Sequence, residues 1–529
     1  MHALQEKEQE SRQSGPAESV TVLNPATGEK LYDFTPASRA DCRAAMERAR
    51  QASPALRDIP MAQRLEALDA LLAYLETKQE WLLDRIVAES GRSRGDAMLS
   101  DIFQLTEDCL WLRHHAEKAL TDEQVPTPIT LMGKQCRILY QPRGVVVVIS
   151  PWNLPLAIGM TAAMFAFMAG NAVVLKPSEH TPMVQALEEI RHLHPLFEQA
   201  LQVVHGKGDV AVNLIAERPD LICFTGSVAT GKRILAQAAP MVIPVIMELG
   251  AKDAMLVFGD ADLSRAVAAA CWGNLHNSGQ SCTATERIFV HDSVYEDFVQ
   301  RLVNASQQIR LGTGADADLG AITTDFQMRH IESLVEDARS NGARILCGGT
   351  RSDCGRFYLP TIIASTTDAM RISHEEIFGP VLTVSAFSSE DEVIVRHNSM
   401  PFGLSSSIWT EDKARAERLT RALDTGCINI NNVMLTEGNA SLPFGGVKYS
   451  GFGRMKGVEG LRGMTRSKAV MSDSTRGKAE PNWYPYSATK LNLMQQLLAI
   501  LGQRSPLRYL KLAKVGMAID RLARKTPKA

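Results

Sequence analysis

Three short apolar runs rich in β-branched residues, accompanied by helical patterns, constrain the fold more than any other feature of this chain. The runs are Gly144–Ile149, Ala172–Leu175 and Leu221–Phe224, and helical patterns follow the last two at Met183–His192 and Gly231–Ala239. Such runs are typical of strands that a parallel sheet buries on both faces. The alternation of strands and helices therefore predicts an α/β fold built on a doubly wound parallel sheet.

Polar and glycine-containing segments directly follow each of these predicted strands. They are Ser150–Asn153, Lys176–Glu179 and Thr225–Gly231. Ligands bind at the carboxyl ends of the strands in doubly wound sheets. We therefore expect the three segments to converge on one cleft.

The length and composition indicate a globular protein with more than one lobe. The chain has 529 residues, of which 45% are hydrophobic and 22% are charged, and about 150 residues per domain is usual. A second lobe is expected past Ile243, where further short apolar runs occur at Ile362–Ile363, Val381–Val384 and Ile428–Asn431. The net charge of -2 gives no indication of a nucleic-acid partner.

The cysteines and the N-terminus indicate a cytoplasmic protein. Nine cysteines are scattered without any C-x-x-C spacing, which disfavours a zinc ribbon and a disulfide framework. Residues 1–18 are polar, lack the apolar core of a secretory signal and are expected to form a disordered leader. The uncharged stretch Ala157–Leu175 superficially resembles a membrane span, but a buried helix followed by a buried strand explains it at least as well.

The segment Gly226–Gly231 is a candidate phosphate-binding turn. Glycines at the start of a helix allow backbone N–H groups to approach a negatively charged group. The segment nearly matches a P-loop, but Arg233 stands where Ser or Thr would bind magnesium, so we exclude a nucleoside triphosphatase. A tight strand-to-helix turn without a ligand is the alternative.

Two side chains are candidates for nucleophilic and base chemistry. Cys282 follows small polar residues in the segment Asn277–Cys282, a setting compatible with access, a lowered thiol pKa and little crowding. A buried structural cysteine is the alternative. Glu248 lies inside the otherwise apolar run Val242–Leu249, where a raised pKa would suit a general base. A surface glutamate at the end of a strand is the alternative for this residue.

Taken together, seven motifs resemble the signature segments of the aldehyde dehydrogenase family. They occur in the family's order between about Val20 and Ser472: Ser150–Pro155, Lys176–Glu179, Phe224–Ser227, Glu248–Gly250, Gly279–Cys282, Glu376–Pro380 and Pro443–Gly446. The resemblance implies a Rossmann-type NAD-binding domain with a parallel sheet, an α/β catalytic domain, a small β oligomerisation flap and a helical C-terminal extension.

The resemblance also implies domain boundaries. Residues 19–120 and 139–248 would form the NAD-binding domain and 249–440 the catalytic domain. Residues 121–138 and 441–473 would form the oligomerisation or bridging segments, and 474–529 a basic helical extension. A homodimer or a homotetramer is expected.

By the same resemblance, the reaction is the oxidation of an aldehyde to a carboxylic acid. Cys282 would attack the aldehyde to form a thiohemiacetal, while the Asn153 amide and the Cys282 N–H stabilise the oxyanion. Loss of hydride to the nicotinamide would give a thioester, which water activated by Glu248 would hydrolyse. Two alternatives stay open: an enzyme that transfers the acyl group to coenzyme A, and a catalytically retired structural protein.

The resemblance assigns cofactor contacts and favours NAD. The candidate cofactor-binding residues are Ser150, Trp152, Lys176, Glu179, Gly226, Ser227, Gly231, Gly250, Glu376 and Phe378. The carboxylate of Glu179 would repel a 2′-phosphate, although some relatives use NADP as well. No metal site is predicted.

Two departures from the family's usual pattern are Ala251, whose methyl group could narrow the turn beside Glu248, and His276, which we expect on the surface.

The C-terminal residues differ from the rest of the chain in their charge. Eleven basic and two acidic residues after position 473 give this tail a charge of +9, which leaves -11 for the rest. Apolar residues recur at helical spacing: Leu491, Met494, Leu498, Leu501, Leu512, Val515, Ile519 and Leu522. The pattern is compatible with helices on an anionic membrane and with a helical hairpin that packs on a partner subunit or over the substrate entrance. It is similar to extensions of fatty and aromatic aldehyde dehydrogenases, which favours a medium-chain, long-chain or aromatic aldehyde.

Overall fold

The computed structural model describes residues 18–131, 133–474 and 479–524. The predicted leader therefore lies outside the described residues, except for Glu18. The chain divides into two compact units, one formed by residues 1–120 and 141–466 and the other by residues 121–140 and 467–529. The segment 121–138, predicted to bridge subunits, falls in the second unit, whereas 441–466 falls in the first.

A six-stranded sheet forms one half of the first unit and confirms the predicted α/β fold. Its strands lie in the order Gly451–Phe452, Val245–Leu249, Leu221–Gly226, Val145–Ile149, Ala172–Lys176 and Leu201–Val203. Neighbours are parallel except at the edge, where Gly451–Phe452 runs antiparallel to Val245–Leu249. Because Ile149 pairs with both Lys176 and Phe224, the carboxyl ends of three strands meet at one edge of the sheet.

A seven-stranded sheet forms the other half of the first unit. Its order is Arg344–Cys347, Thr361–Ala364, Val381–Phe387, Thr285–His291, Asp253–Val257, Ser405–Trp409 and Cys427–Ile430. Only Arg344–Cys347 is antiparallel to its neighbour. This sheet contains the three apolar runs that predicted a second lobe. Two short antiparallel pairs complete the unit: Val20–Leu23 with Lys30–Phe34, and Phe402–Gly403 with Val447–Lys448.

Helices accompany these sheets, and long ones such as Arg39–Asp58 and Gln104–Leu120 bury an apolar face. The α-helices of the first unit are Arg39–Asp58, Met61–Thr77, Gln79–Ser90, Arg94–Ala97, Gln104–Leu120, Ala157–Met168, Val184–Arg191, Pro195–Ala200, Gly208–Ala216, Val228–Ala238, Leu263–Leu275, Tyr295–Ser306, Asp325–Ser340, Glu390–Asn398, Lys413–Ala422, Leu435–Gly438 and Gly457–Gly463. A π-helical turn spans Met98–Phe103, and single 3₁₀ turns span Ala239–Met241, His276–Gly279, Asp292–Val294 and Arg371–Ser373.

The uncharged stretch that resembled a membrane span is a buried helix followed by a buried strand. Ala157–Met168 and Ala172–Lys176 are almost wholly buried in the core around the six-stranded sheet. Helix packing against both faces of the sheet explains why this stretch carries no charge. Across residues 18–131, 133–474 and 479–524, no helix is long and apolar enough to cross a membrane.

The second unit combines a small sheet with two helices. Its three strands lie in the order Thr465–Asp473, Lys134–Pro142 and Glu123–Val125, and a 3₁₀ turn spans Ile129–Leu131. Lys134 ties this unit together, since its Nζ lies 2.5 Å from Asp473 Oδ2 and 2.6 Å from Glu480 Oε1. The helices Ala488–Leu501 and Arg508–Arg524 confirm the predicted helical extension.

The two tail helices pack against each other through one face of each helix. Ile500, Leu493 and Leu497 meet the second helix, where Leu512 and Val515 are buried. Of the apolar residues noted at helical spacing in the first helix, Leu491, Leu498 and Leu501 are exposed and Met494 is half-buried. That helix has two adjacent apolar faces, and spacing alone did not show which of them the second helix covers.

Candidate active site

A cleft of about 1620 Å³ in the first unit gathers the predicted site residues. The residues that line it are Ser150, Trp152, Asn153, Lys176, Glu179, Gly226, Ser227, Glu248, Gly250, Cys282, Glu376 and Phe378. Gly231 does not line it. This glycine packs against Leu249, and a Cβ at Gly231 would lie 2.7 Å from Leu249 Cδ2. The expected convergence of the strand-end segments on one cleft is therefore observed.

Cys282 is carried by a tightly turned loop, residues 276–283, which we name the cysteine loop. Asn277, Ser278 and Gly279 adopt left-handed φ values of 53°, 56° and 71° in succession. A Cβ at Gly279 would lie 2.0 Å from the Gly379 carbonyl oxygen, so only glycine fits there. Consecutive left-handed residues are costly and persist only where surrounding contacts hold them.

Buried amides supply those contacts and place Asn153 beside the cysteine loop. The Asn153 side-chain amide donates to the Gln280 carbonyl at 3.0 Å. The Asn277 amide donates to the same carbonyl at 2.9 Å and to the Asn153 carbonyl at 3.1 Å. The Asn153 Nδ2 has two hydrogens, so one remains to donate to an oxygen bound next to Cys282.

The cysteine thiol is accessible, but its pKa is not lowered. Cys282 is part-exposed on the cleft wall. Burial raises its pKa well above the ordinary value, and the carboxylates of Glu437, Asp253 and Glu248 raise it further. The local sequence was compatible with a lowered thiol pKa, whereas burial in the folded protein raises it.

Glu248 is a buried carboxyl group rather than a surface residue. It is the penultimate residue of the strand Val245–Leu249, and only 6% of its surface is exposed. Burial raises its pKa well above the ordinary value, while the charge of Arg454 and the Gly446 N–H oppose this. Among the described residues, neither carboxylate oxygen has a hydrogen-bond partner of good geometry. Such a group is suited to accept a proton near neutral pH.

The structure corrects the expectation that His276 lies on the surface. The residue is 6% exposed and lines the cleft. Its Nδ1 lies 2.7 Å from Asp96 Oδ1 and its Nε2 lies 2.6 Å from Ser100 Oγ. Burial alone would raise the pKa of Asp96, but the charge and hydrogen bond of His276 hold it below its usual range. The left-handed turn that follows His276 directs this segment inward.

Sequence reasoning missed Glu437, which lies against the cysteine loop. Its Oε2 accepts a hydrogen bond from Thr283 Oγ1 at 2.6 Å, one residue beyond the nucleophile. Its carbonyl accepts from Lys456 Nζ at 2.6 Å, and that ammonium lies 3.3 Å from Asp108 Oδ1. Burial raises the pKa of Glu437. The segment Leu435–Gly438 contains no motif that would have indicated this role.

The strand ends on the six-stranded sheet form a cradle suited to an extended, phosphate-containing ligand. The Ser227 hydroxyl caps the helix Val228–Ala238 by accepting from the Thr230 N–H at 3.3 Å. This N-cap explains why the helix begins before Gly231, where the pattern placed its start. The helix N-terminus faces the cleft and favours negative charge.

Two further observations fit a dinucleotide in this cradle. The Ser150 hydroxyl is buried and lacks a hydrogen-bond partner within the described chain. Lys176 Nζ lies 3.7 Å from Glu179 Oε2. An ammonium and a carboxylate so close together would both bind the hydroxyl groups of a ribose. Burial lowers the pKa of Lys176.

Glu376 closes the other side of the cradle. Its Oε1 accepts from the Ala251 N–H at 3.0 Å, and a Cβ at Gly250 would lie 2.2 Å from its Oε2. Burial raises the pKa of Glu376 to about 8, and the charge of Glu286 adds to that rise. The Ala251 N–H donates to this carboxylate, and the methyl group of Ala251 is buried.

Within residues 18–131, 133–474 and 479–524, no group of three His, Cys, Asp or Glu side chains can hold a metal ion.

Comparison with known proteins adds an independent line of evidence. The model of the "Aldehyde dehydrogenase family" matches residues 12–470. The chain is 36% identical over 473 residues to a 4,4'-diapolycopene aldehyde oxidase of Methylomonas sp, covering 89% of each protein. It is 36% identical over 461 residues to a betaine aldehyde dehydrogenase of Cereibacter sphaeroides, covering 85% of this chain and 93% of that protein.

A solved structure agrees with these relatives. The NAD⁺ complex of an aldehyde dehydrogenase from Bacillus cereus superposes with a TM-score of 0.81 at 31% identity. The match covers 87% of this chain and 94% of that chain.

Proposed function

The chain belongs to the aldehyde dehydrogenase family, and from this premise we propose that it oxidises a long-chain apolar aldehyde to the carboxylic acid with NAD. The observation that carries the substrate class is the apolar part of the lining of the cleft that contains Cys282. Large apolar side chains line it, among them Leu99, Phe103, Leu110, Trp111, Trp272, Met434 and Leu435.

Several of these side chains are exposed, which is unusual for residues of this size. Phe103 is 54% exposed, Leu435 51% and Leu99 44%. Exposed apolar side chains that line a cleft mark a ligand-binding groove rather than a core. The similarity to a protein named for 4,4'-diapolycopene aldehyde supports an apolar substrate.

Addition of the aldehyde is the first step that the geometry supports. The Cys282 sulfur, after losing its proton to a base, bonds to the aldehyde carbon, and the carbonyl oxygen becomes an oxyanion. The free N–H of the Asn153 amide donates to that oxygen, together with the Cys282 backbone N–H. One such donor contributes about 3 kcal/mol to the transition state. The thiol proton passes to solvent, so Glu248 keeps its capacity to accept a proton in the hydrolysis step.

Hydrolysis is the second task of the protein's own residues. Bound NAD would supply the hydride acceptor that converts the adduct on Cys282 into a thioester. Glu248 then takes a proton from a water molecule, whose oxygen bonds to the acyl carbon as the sulfur leaves. The carboxylic acid departs and the thiol is restored. A buried base of this kind has no use in transfer of the acyl group to a thiol, which argues against the coenzyme A alternative.

The cofactor assignment rests on the cradle and on Glu179. Gly226 and Ser227 lie at the helix N-terminus that would hold the pyrophosphate, and Lys176 and Glu179 would hold the adenosine ribose. Glu376 would hold the nicotinamide ribose, with Phe378 beside it. The ring centroids of Phe378 and Trp152 lie 5.4 Å apart. A 2′-phosphate would meet the Glu179 carboxylate, so NAD is preferred to NADP.

Steady-state NADH formation tests the proposed function. Hexadecanal in detergent micelles, octanal, benzaldehyde and betaine aldehyde are compared with NAD and with NADP. We expect kcat/KM with NAD to be highest for hexadecanal. Betaine aldehyde as the best substrate would contradict the apolar assignment, and a requirement for coenzyme A would contradict hydrolysis.

Two matched variants locate the aldehyde end of the cleft. Phe103 and Phe326 both line the cleft and are similarly exposed, but Phe326 lies beside Trp152 on the cofactor side. Phe103→Ser should raise KM for hexadecanal by about tenfold relative to octanal. Phe326→Ser should leave the ratio of the KM values for the two aldehydes unchanged.

We further propose that the protein acts as a homodimer or homotetramer. Light scattering of the purified chain measures this oligomeric state.

A further inference from the structure

The two helices of the tail, residues 488–524, which we name the tail hairpin, use one face of each helix for their mutual contact. Leu493, Leu497 and Ile500 of the first helix pack against Leu512, Val515 and Ile519 of the second. A hairpin that buries these residues needs no further apolar surface for its own cohesion. Its remaining apolar residues therefore require another explanation.

The first helix has a second apolar face, directed outward. Leu491, Met494, Leu498 and Leu501 follow one another at steps of three, four and three residues, which places them on one side of a helix. Leu498 is 72% exposed and Leu491 is 58% exposed. Contiguous exposed leucines at this spacing are typical of helices that lie against an apolar phase.

The second helix and the turn before it continue the pattern. Leu507, Leu510 and Met517 are 62%, 71% and 56% exposed. Immediately before the first helix, Trp483, Tyr484 and Tyr486 are exposed as well. Tryptophan and tyrosine are the side chains that collect at the boundary between lipid headgroups and hydrocarbon, since each combines an apolar ring with a polar tip.

Positive charge accompanies these apolar residues. Between Gly502 and Leu522 the chain carries five basic residues and one acidic residue: Arg504, Arg508, Lys511, Lys514, Arg521 and Asp520. Four of the five basic side chains are exposed and Arg508 is partly exposed. Exposed leucines together with lysine and arginine distinguish a helix that binds anionic lipid from one that binds a protein groove.

We propose that the tail hairpin docks the protein on the surface of an anionic lipid bilayer. The leucines and aromatic rings would enter the headgroup boundary, and the basic side chains would meet lipid phosphates and carboxylates. A second copy of the hairpin is a poorer occupant, because it would bring five more basic residues against the first five. The inference stands independently of the substrate class, although an apolar aldehyde dissolved in a bilayer would then lie close to the enzyme.

Vesicle flotation of the full-length protein tests the docking. Vesicles of phosphatidylcholine alone are compared with vesicles that also contain phosphatidylglycerol, at low and at high salt. We expect at least about tenfold stronger binding to the anionic vesicles, and weaker binding as salt screens the basic residues. No flotation with anionic vesicles, or equal binding to both kinds, would overturn the proposal.

Matched variants separate the hairpin from the rest of the surface. Leu498→Gln combined with Leu510→Gln should weaken binding by at least about tenfold. Val242→Gln combined with Val395→Gln changes two equally exposed apolar residues of the first unit and should have no effect. Lys511→Glu with Lys514→Glu should abolish the preference for anionic lipid, whereas Lys78→Glu with Lys413→Glu should preserve it.

Two controls keep the outcome decisive. Each variant is assayed for turnover of octanal, which dissolves without vesicles, and unchanged activity shows that the catalytic unit is folded. Light scattering is measured in parallel. A smaller assembly for Leu498→Gln with Leu510→Gln, together with unchanged flotation, would show that the hairpin binds another copy of the chain and would overturn the proposal.

Discussion

The cofactor side and the nucleophile side of the cleft are built in different ways. On the cofactor side, Lys176 and Gly226 end two parallel strands and Ser150 directly follows the strand between them, so each is placed by its own local segment. On the nucleophile side, the pKa of Cys282 is raised by burial and by carboxylates that are far away in sequence, including Glu437 and Asp253. Chemistry set by local backbone can be predicted from sequence, whereas chemistry set by assembled charge cannot.

The largest expected effect is loss of the nucleophile. Cys282→Ala should reduce kcat for aldehyde oxidation by more than about a thousandfold, because no covalent adduct can form. NADH absorbance measures the rate, and the tryptophan fluorescence change on NAD addition shows whether the cofactor side is intact. Cys427→Ala, which changes another cysteine near the site, should retain most of the activity. Equal losses of kcat in both variants would show that Cys282 is not the nucleophile.

The amide beside the cysteine loop should have the next largest effect. Asn153→Ala removes the proposed oxyanion donor and should lower kcat by about a hundred- to a thousandfold with little change in the Kd of NAD. Asn277→Ala removes the amide that holds the loop, so a thermal unfolding scan accompanies both variants. If Asn153→Ala loses only stability and not kcat, the amide is structural.

The buried carboxylate against the loop should control the thiol pKa. Glu437→Gln retains an acceptor for Thr283 but removes a negative charge, so the pKa of Cys282 should fall and alkylation by iodoacetamide should begin at lower pH, by about one pH unit. The rate rises with pH because the thiolate is the reactive form. Glu336→Gln, an exposed carboxylate with 61% side-chain exposure, is the control. An unchanged pH profile for Glu437→Gln would show that the charge of Glu437 does not affect the pKa of the Cys282 thiol.

The smallest expected effect concerns the choice of cofactor. Glu179→Gln removes the charge that opposes a 2′-phosphate and should raise kcat/KM for NADP relative to NAD by about tenfold. Glu66→Gln, an exposed carboxylate outside the cleft, should leave the ratio at its original value. A wild-type enzyme that already prefers NADP would contradict this assignment before any variant is made.

Parts of the fold and the site could be predicted because they depend on short segments. The strands Val145–Ile149 and Ala172–Lys176 were recognisable from β-branched runs, and their polar ends lie together because parallel strands end at one edge. Glu248 was recognisable as a base candidate because the apolar residues around it are its own neighbours.

Other parts depend on contacts between distant segments. His276 was expected on the surface, but three left-handed residues turn it toward Asp96, and no local pattern specifies such a turn. The exposed pair Leu491 and Leu498 and the half-buried pair Leu493 and Leu497 both satisfy helical spacing, so spacing could not decide which face meets the second helix.

The proposed mechanism depends on a covalent thioester on Cys282, which Glu248 helps to hydrolyse. Mass spectrometry of intact Glu248→Gln protein, mixed with octanal and NAD, detects such an intermediate. We expect an adduct on Cys282 that adds the mass of the aldehyde less two hydrogen atoms and that persists without coenzyme A, while wild-type protein returns to its original mass. If Glu248→Gln accumulates no adduct and turns over at the wild-type rate, Glu248 has no part in hydrolysis.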